Sequence, residues 1–450
     1  MSIKTLKLIT VRFLAIVSVV LLESIVLTNK IFANNFWVFS FWVSLVFIVI
    51  YSIIPFRDKR LSFRLNVAKG GYELFLVTVI SFIGSFSLAI VSYFFFSIPE
   101  YTWGMFLLNL LFILIISALL MTNSTLRMFF GSRQLGMYNR SLFLLTWWLP
   151  IVNVLIFYQM AKAVRKEYES EEDLIAIDEQ RISQEICKTK YPLVLIHGVF
   201  FRDSNFFNYW GRIPKELKKN GAEVYYGLQE SALSVKDSAQ EIKERIMKIL
   251  ADTKCEKVNI IAHSKGGLDA RYAISVLGLD PYVASLTTIN TPHHGCEFAE
   301  YLFHIWPKWW VNLLAKQYNG ALSKLGDKHP DFLGACWDLT NCQVEELNKI
   351  MPDKANVFYQ SSMSVLSNRK AGSFPLNLTY NLVKKYDGEN DGLVGVKSGQ
   401  WQNFLGVIKV SGKIGISHAD MIDSLQRNIP GFDIRSFYVQ LVQGLKEKGL

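Results

Sequence analysis

The residues of this chain best suited to do chemistry centre on Ser264, within Val258-Asn259-Ile260-Ile261-Ala262-His263-Ser264-Lys265-Gly266-Gly267. The apolar run ahead of it suits a strand covered on both faces. Small residues two before and two after the serine, with Gly266 and Gly267 on the helix side, let the chain turn sharply. This is a nucleophile elbow written A-x-S-x-G in place of G-x-S-x-G. Its geometry holds the hydroxyl clear of the sheet and sets the backbone N–H of Lys265 beside any oxyanion formed there.

An elbow serine needs a base, an acid that orients the base, and a second oxyanion donor. In folds built on such an elbow, the order along the chain is serine, acid, histidine. Of the seven histidines, only His418 comes late enough. His263 adjoins the serine and points elsewhere, His197 reads as a structural residue at a strand end, His293 and His294 follow a strand, and His304 and His329 lie in an aromatic insertion. The candidate acids are Asp387, Glu389 and Asp391. Asp391 is the best placed, because it opens a turn into Leu393-Val394 and precedes His418 by 27 residues. The second donor should come from the loop after the first strand, His197-Gly198-Val199-Phe200, with the N–H of Val199 preferred to that of Phe200.

The elements that must position these groups alternate between strand and helix. Tyr191 to Ile196 reads as a buried strand, 213–220 as a helix, 222–227 as a strand, 235–252 as an amphipathic helix, 257–262 as the strand before the elbow, and Ala284 to Ile289 as another strand. That alternation predicts a mostly parallel sheet covered on both faces. Residues 297–335 carry Phe298, Tyr301, Phe303, Ile305, Trp306, Trp309, Trp310, Leu313 and Leu314. This apolar set reads either as a mobile amphipathic lid over the serine or as helix packed on the core. Phe200, Phe201, Phe206, Phe207, Tyr209 and Trp210 either line an acyl pocket or fill the core rim.

The first third of the chain is different. A hydrophobic fraction of 51% and a formal charge of +10 characterise the whole. Residues 1–162 hold 13 Lys/Arg and 4 Asp/Glu, so nearly all of the excess lies between apolar runs and gives no reason to invoke nucleic acid. Five stretches, 8–28, 35–56, 74–97, 104–122 and 141–161, approach the ~20 apolar residues that a bilayer core demands. They predict an all-α transmembrane domain over 1–162. Glu23 and Asn109 within them read as helix contacts. The basic loops 57–70 and 123–140 place the N-terminus in the cytoplasm. If the fifth run crosses, the C-terminal domain lies outside the cytoplasm, and its length favours crossing. If Pro150 and Asn153 make it re-entrant, the domain stays inside, as Lys162, Arg165 and Lys166 would favour. The extracytoplasmic placement is the expectation carried forward. Residues 163–188 read as a charged helical stalk or linker, and 189–450 as the catalytic domain. The five cysteines show no metal-like spacing, and Cys336 and Cys342 could be bridged outside the cytoplasm.

Taken together, these residues resemble the true lipases of the Pseudomonas and Burkholderia type, within the α/β-hydrolase superfamily. The resemblance is carried by Tyr191-Pro192, His197-Gly198, Tyr209-Trp210-Gly211, Gly221-Ala222-Glu223-Val224-Tyr225, Lys257-Val258-Asn259, His263-Ser264 and Pro292-His293-His294-Gly295. It resumes at Asn390-Asp391-Gly392-Leu393-Val394 and His418-Ala419-Asp420. It implies an α/β-hydrolase fold with a helical lid, a Ser264, Asp391, His418 triad, and oxyanion donors at Val199 and Lys265. It also implies a structural calcium held in part by Asp420. The family's other calcium aspartate falls where this chain reads Arg369-Lys370-Ala371-Gly372-Ser373, which offers no carboxylate. The chemistry itself requires no cofactor. The family is secreted and soluble, and the multi-span region is not covered by the resemblance.

The function expected is a membrane-anchored serine hydrolase acting on lipid or acylglycerol esters. Its rivals are a lipid deacylase or acyltransferase with the same triad, and an inactive hydrolase-fold membrane scaffold.

Overall fold

The computed structural model describes residues 3–31, 36–53, 58–96, 98, 100–146, 149–199, 208–305, 307–324, 326–372, 376–411 and 415–450. The chain forms two compact units, Met1–Ile177 and Asp178–Leu450.

The first unit is built of helices: α1 (Ile3–Glu23), α2 (Ile25–Ile31), α3 (Phe36–Ile53), α4 (Phe63–Phe94), α5 (Trp103–Gly131), α6 (Gly136–Thr146) and α7 (Pro150–Arg181). By length and composition α4 and α5 can cross a membrane, with mean hydropathies of 2.5 and 2.6. The pair α1 and α2 bends by 85° at Ser24, and counts as a third span only if the two are taken together. The apolar part of α3, Val38–Ile53, is shorter than the ~20 residues a span needs.

The five expected crossings are therefore not five straight spans. The fifth run is divided, because α6 ends at Thr146 and α7 begins at Pro150, a residue that starts helices well and continues them badly. The polar groups expected to join helices do so. Glu23 accepts hydrogen bonds from Ser85 Oγ (2.6 Å) and Ser117 Oγ (2.5 Å), and Asn109 Oδ1 accepts from Leu27 N (3.3 Å). Arg12 Nη2 lies 2.6 Å from Glu73 Oε1 and joins α1 to α4.

The charged stretch after residue 162, expected as a helical stalk or linker, is helical. It continues α7, and two of its acids are held by basic residues near the start of α4. Arg64 Nη2 lies 2.8 Å from Glu167 Oε1 and Lys69 Nζ 2.6 Å from Glu172 Oε1, while Ser132 Oγ donates to Glu167 Oε2 at 2.6 Å. An apolar cluster of Leu61, Leu65, Tyr72, Met128, Ile156 and Met160 packs beneath these pairs. Residues through Ile177 consequently belong to the first unit, and the boundary lies later than residue 162.

The second unit is built on six parallel strands, β1 (Leu193–Ile196), β2 (Val224–Tyr226), β3 (Val258–His263), β4 (Val283–Ile289), β5 (Phe358–Ser364) and β6 (Asn403–Ile408), in the order β2-β1-β3-β4-β5-β6. The helices between them are α8 (Ile213–Lys219), α9 (Val235–Thr253), α10 (Lys265–Ser275), α11 (Glu297–Ile305), α12 (Lys308–Lys324), α13 (Phe332–Trp337), α14 (Asn341–Ile350), α15 (Leu376–Asp387), α16 (Val396–Gly399) and α17 (Ile434–Glu447). Every residue of β1, β3 and β4 is buried, as expected of a parallel sheet with helices on both faces.

One core packs α9 and α10 on one side of the sheet, through Ile242, Ile246, Leu268 and Ile274. The other packs α8 and α17 on the opposite side, through Ile213, Leu217, Tyr438 and Val442. The first four strands and the helices α8 and α9 fall within a residue or two of their expected ranges.

Candidate active site

Ser264 stands between β3 and α10 at φ +55° and ψ −134°, a left-handed conformation that a serine adopts only when its surroundings impose it. The imposition is visible. Ser264 N donates to Ile289 O at 3.0 Å, and Thr291 Oγ1 donates to Ser264 O at 2.8 Å. The neighbouring segments leave no space for a Cβ at three glycines. At Gly198 it would lie 2.7 Å from the Ser264 Cβ, at Gly266 it would strike the His197 carbonyl, and at Gly267 the Thr291 side chain. The elbow glycines thus let the loop after β1 and the end of β4 close on the serine.

Asp391 and His418 come together as expected. His418 Nδ1 is 2.6 Å from Asp391 Oδ2, and His418 N donates to Asp391 O at 2.9 Å. Asp391 is fully buried, so each of its lone pairs needs a partner. Oδ1 accepts from Leu393 N (2.9 Å) and Val394 N (2.8 Å), while Oδ2 also accepts from Asn290 Nδ2 at 2.6 Å. The two other acids are employed elsewhere. Asp387 accepts from the N–H groups of Glu297 and Phe298 at the start of α11, and Glu389 pairs with Lys409 at an exposed position. Among the described residues no hydrogen bond joins Ser264 Oγ to His418. Such bonds commonly tighten only when substrate is bound.

The structure adds support for the base that sequence reasoning did not identify. Gly198 N donates to Tyr209 Oη (3.0 Å), so the Tyr209 hydroxyl proton goes to His263 Nδ1 (2.8 Å), whose ring packs 4.4 Å from that of His418. Burial and the nearby His418 hold the His263 imidazole well below its usual range, which keeps it neutral as an acceptor. Tyr209 belonged to a block noted for its resemblance, which was the available signal. Asn290, whose Nδ2 bridges Asp391 and Ser364 Oγ (2.8 Å), left none. His197 is the structural residue expected. It is buried against the backbone carbonyls of Gly198 and Gln229, and burial lowers its pKa to about 4.

No described residue accepts from the backbone N–H of Val199 or Lys265, so both remain available to an oxyanion. The Lys265 side chain turns away into the core, where Nζ meets Asp269 Oδ1 (2.6 Å) and Ser238 Oγ (3.0 Å). Burial raises the Asp269 carboxyl to about 7 against the pull of that ammonium. Phe200, Phe201, Phe206 and Phe207 lie outside the described residues.

Val199 and Ser264 line a cavity of about 320 Å³ whose other walls are almost wholly apolar, including Phe298, Phe303, Leu314 and Phe332 from the insertion. The segment expected as a lid is therefore the three helices α11, α12 and α13, and they form the cavity wall. On α12, Trp309, Trp310 and Leu313 are exposed beside Lys308 and Lys316. All five cysteines are free thiols, so Cys336 and Cys342 are not bridged. Both Cys296 and Cys336 face the cavity.

A parallel sheet that delivers a serine elbow, followed by a buried aspartate bonded to a late histidine, defines the α/β-hydrolase fold. Within it, residues 190–288 match the family described as Lipase (class 2), which bears out the resemblance read from the sequence. The chain is similar to a triacylglycerol lipase of Burkholderia plantarii, 38% identical over 120 residues, covering 25% of this chain and 33% of that one. It is also similar to a triacylglycerol lipase of Pseudomonas fragi, 26% identical over 295 residues, covering 58% and 98%. Among solved structures, the mature lipase BlEst2 of Bacillus licheniformis matches at a TM-score of 0.39 and 21% identity, covering 52% of this chain and 88% of that one. The fold assignment rests on the sheet and the elbow, not on that superposition. The chain spans about a third of the length of the first curated relatives it matches.

Proposed function

We propose that this chain is a membrane-anchored serine hydrolase that cleaves carboxylic esters of lipids or acylglycerols. The observation that carries the proposal is the shared cavity: Ser264 and Val199 open into an apolar chamber walled by the aromatic insertion. That chamber suits an acyl chain with its carbonyl at the mouth. Ser264 attacks the carbonyl, and His418 takes its proton and later delivers it to the leaving alcohol. Asp391 holds the imidazole in the tautomer with its proton on Nδ1. The Val199 and Lys265 N–H groups receive the oxyanion. Water then releases the acid from the acyl-serine. The bilayer supplies substrate and anchorage, and no cofactor enters the cycle. The similarity to triacylglycerol lipases supports the ester substrate.

For topology, we infer that a cytoplasmic placement of residues 163–177 competes with the external placement expected. Glu167 and Glu172 of α7 pair with Arg64 and Lys69 at the start of α4, beside the basic loop that marks the cytoplasmic side. Those pairs favour a fifth run that enters the membrane and returns, with residues 163–177 on the cytoplasmic side. An impermeant thiol reagent applied to intact cells should fail to label Glu171→Cys in a chain otherwise freed of cysteine; labelling would restore the external placement. For the activity, a panel of phospholipids and acylglycerols should be hydrolysed by the wild type and not by Ser264→Ala. Equal turnover by both would end the reading.

A further inference from the structure

The resemblance to bacterial true lipases implies a structural calcium at Asp420, two residues beyond His418, and the residues here do not fit one. Calcium takes six to eight oxygens, several of them from carboxylates. Both carboxylate oxygens of Asp420 are already engaged. Oδ2 accepts from Ser417 N (2.9 Å) and Ser417 Oγ (2.6 Å), and Arg427 Nη2 lies 3.0 Å from Oδ1 and 3.1 Å from Oδ2. A guanidinium in that position repels a divalent cation. The segment that would offer the second carboxylate supplies Arg369 and Lys370 instead, and Arg369 Nε donates to Asn377 O. Among the described residues no group of three His, Cys, Asp or Glu side chains is arranged to hold a metal.

We propose that Arg427 is a positioning residue that takes the place of a metal ion in this chain, fixing the turn that carries His418. Asp420 binds the residue just before His418 through two hydrogen bonds, and the turn closes with Asp420 N donating to Ser417 O at 3.0 Å. Arg427, itself partly exposed, neutralises the buried Asp420 from the far side of the same loop. The loop is then tied to the rest of the unit by a second arginine. Arg212 donates from Nε and Nη2 to the two oxygens of Asp423 (both 2.8 Å), from Nη1 to Asn428 Oδ1 (2.9 Å) and from Nη2 to Arg427 O (3.3 Å). A planar fork can make this set where a point charge cannot. The two guanidiniums together hold residues 417–428 without an exchangeable ion, so the histidine stays in place when divalent cations are scarce.

The role of Arg427 in catalysis rests on the triad reading, whereas the absence of a metal requirement does not. The test uses the full chain in detergent and follows thermal unfolding together with hydrolysis of a short p-nitrophenyl ester. Wild type should show the same unfolding midpoint and the same kcat in excess EDTA and in millimolar calcium. Arg427→Gln should lower kcat by about ten- to a hundredfold, in the range for lost positioning contacts, and leave KM within about twofold. Arg427→Lys, whose single ammonium can reach both oxygens, should restore most of the loss. If EDTA lowers the wild-type midpoint and calcium restores it, the proposal is overturned, and that arm decides even if Arg427→Gln does not fold or no ester is hydrolysed. A normal kcat in a folded Arg427→Gln would overturn it as well.

Discussion

The elbow that carries Ser264 and the loop that carries His418 belong to one catalytic centre and are held in different ways. The elbow is fixed by steric contact. Three glycines let β1, β3 and β4 approach within van der Waals distance, and the strained serine is boxed in by backbone hydrogen bonds from its own sheet. Among the described residues no strand leads directly into the histidine loop. It is fixed by directed polar bonds, from Asp391 with its four donors and from the two arginines, while the His263 ring, held by Tyr209, packs against the imidazole. Packing gives the nucleophile a unique position at little electrostatic cost. Charge and hydrogen bonds give the base its orientation, at the cost of burying polar groups.

This contrast is open to perturbation from either side. The largest effect is expected on the loop side, where Asp391→Asn keeps the shape and removes the acceptor that selects the imidazole tautomer. Steady-state kinetics should show kcat lower by about 10⁴-fold with the fold intact. On the elbow side, His197 tests the cost of a buried neutral group. Its folded pKa of about 4 lies below the ordinary 6.5, so the unfolded chain binds the extra proton. Its contribution is therefore complete above pH ~6.5, is lost as pH falls toward ~4, and amounts to at most about 3 kcal/mol. Denaturant titrations should find that pH slope in the wild type, and a flatter one in His197→Gln.

Gly266→Ala sets a methyl group against the His197 carbonyl. It should cost about 2 kcal/mol in a urea melt and lower kcat, because overpacking moves the elbow. The smallest effect is expected for Tyr209→Phe, which frees Gly198 N and His263 Nδ1 from one hydroxyl. A loss of about 1 kcal/mol in transition-state stabilisation should appear in kcat with KM little changed. If Tyr209→Phe proved as damaging as Asp391→Asn, the distinction between the two regions would fail.

The same contrast explains what could be read from the sequence. Steric devices leave local signatures: the apolar run before Ser264, the small residues around it and the alternation of strand and helix all appear within short windows, and they placed the first four strands and the elbow. Asp391 and His418 were legible because their order along the chain is constrained. The pairs Arg212 with Asp423 and Asn290 with Asp391 join residues far apart in the chain, and no periodicity marks either. Residues 141–161 show the opposite failure. A sufficient count of apolar residues concealed a break between Thr146 and Pro150, since hydropathy averages over a window and a helix boundary depends on one or two residues. Likewise Glu167 and Glu172 read only as charges of a helical stalk or linker, and nothing in their spacing pointed to Arg64 and Lys69 as partners.

The account stands on Ser264 being the nucleophile. The most direct measurement is to label the folded chain with a fluorophosphonate and map the modified peptide by mass spectrometry. The account predicts one adduct on the peptide containing Ser264, abolished in Ser264→Ala and strongly slowed in Asp391→Asn. A folded wild type that does not react, or a Ser264→Ala chain that labels as well as the wild type, would contradict it.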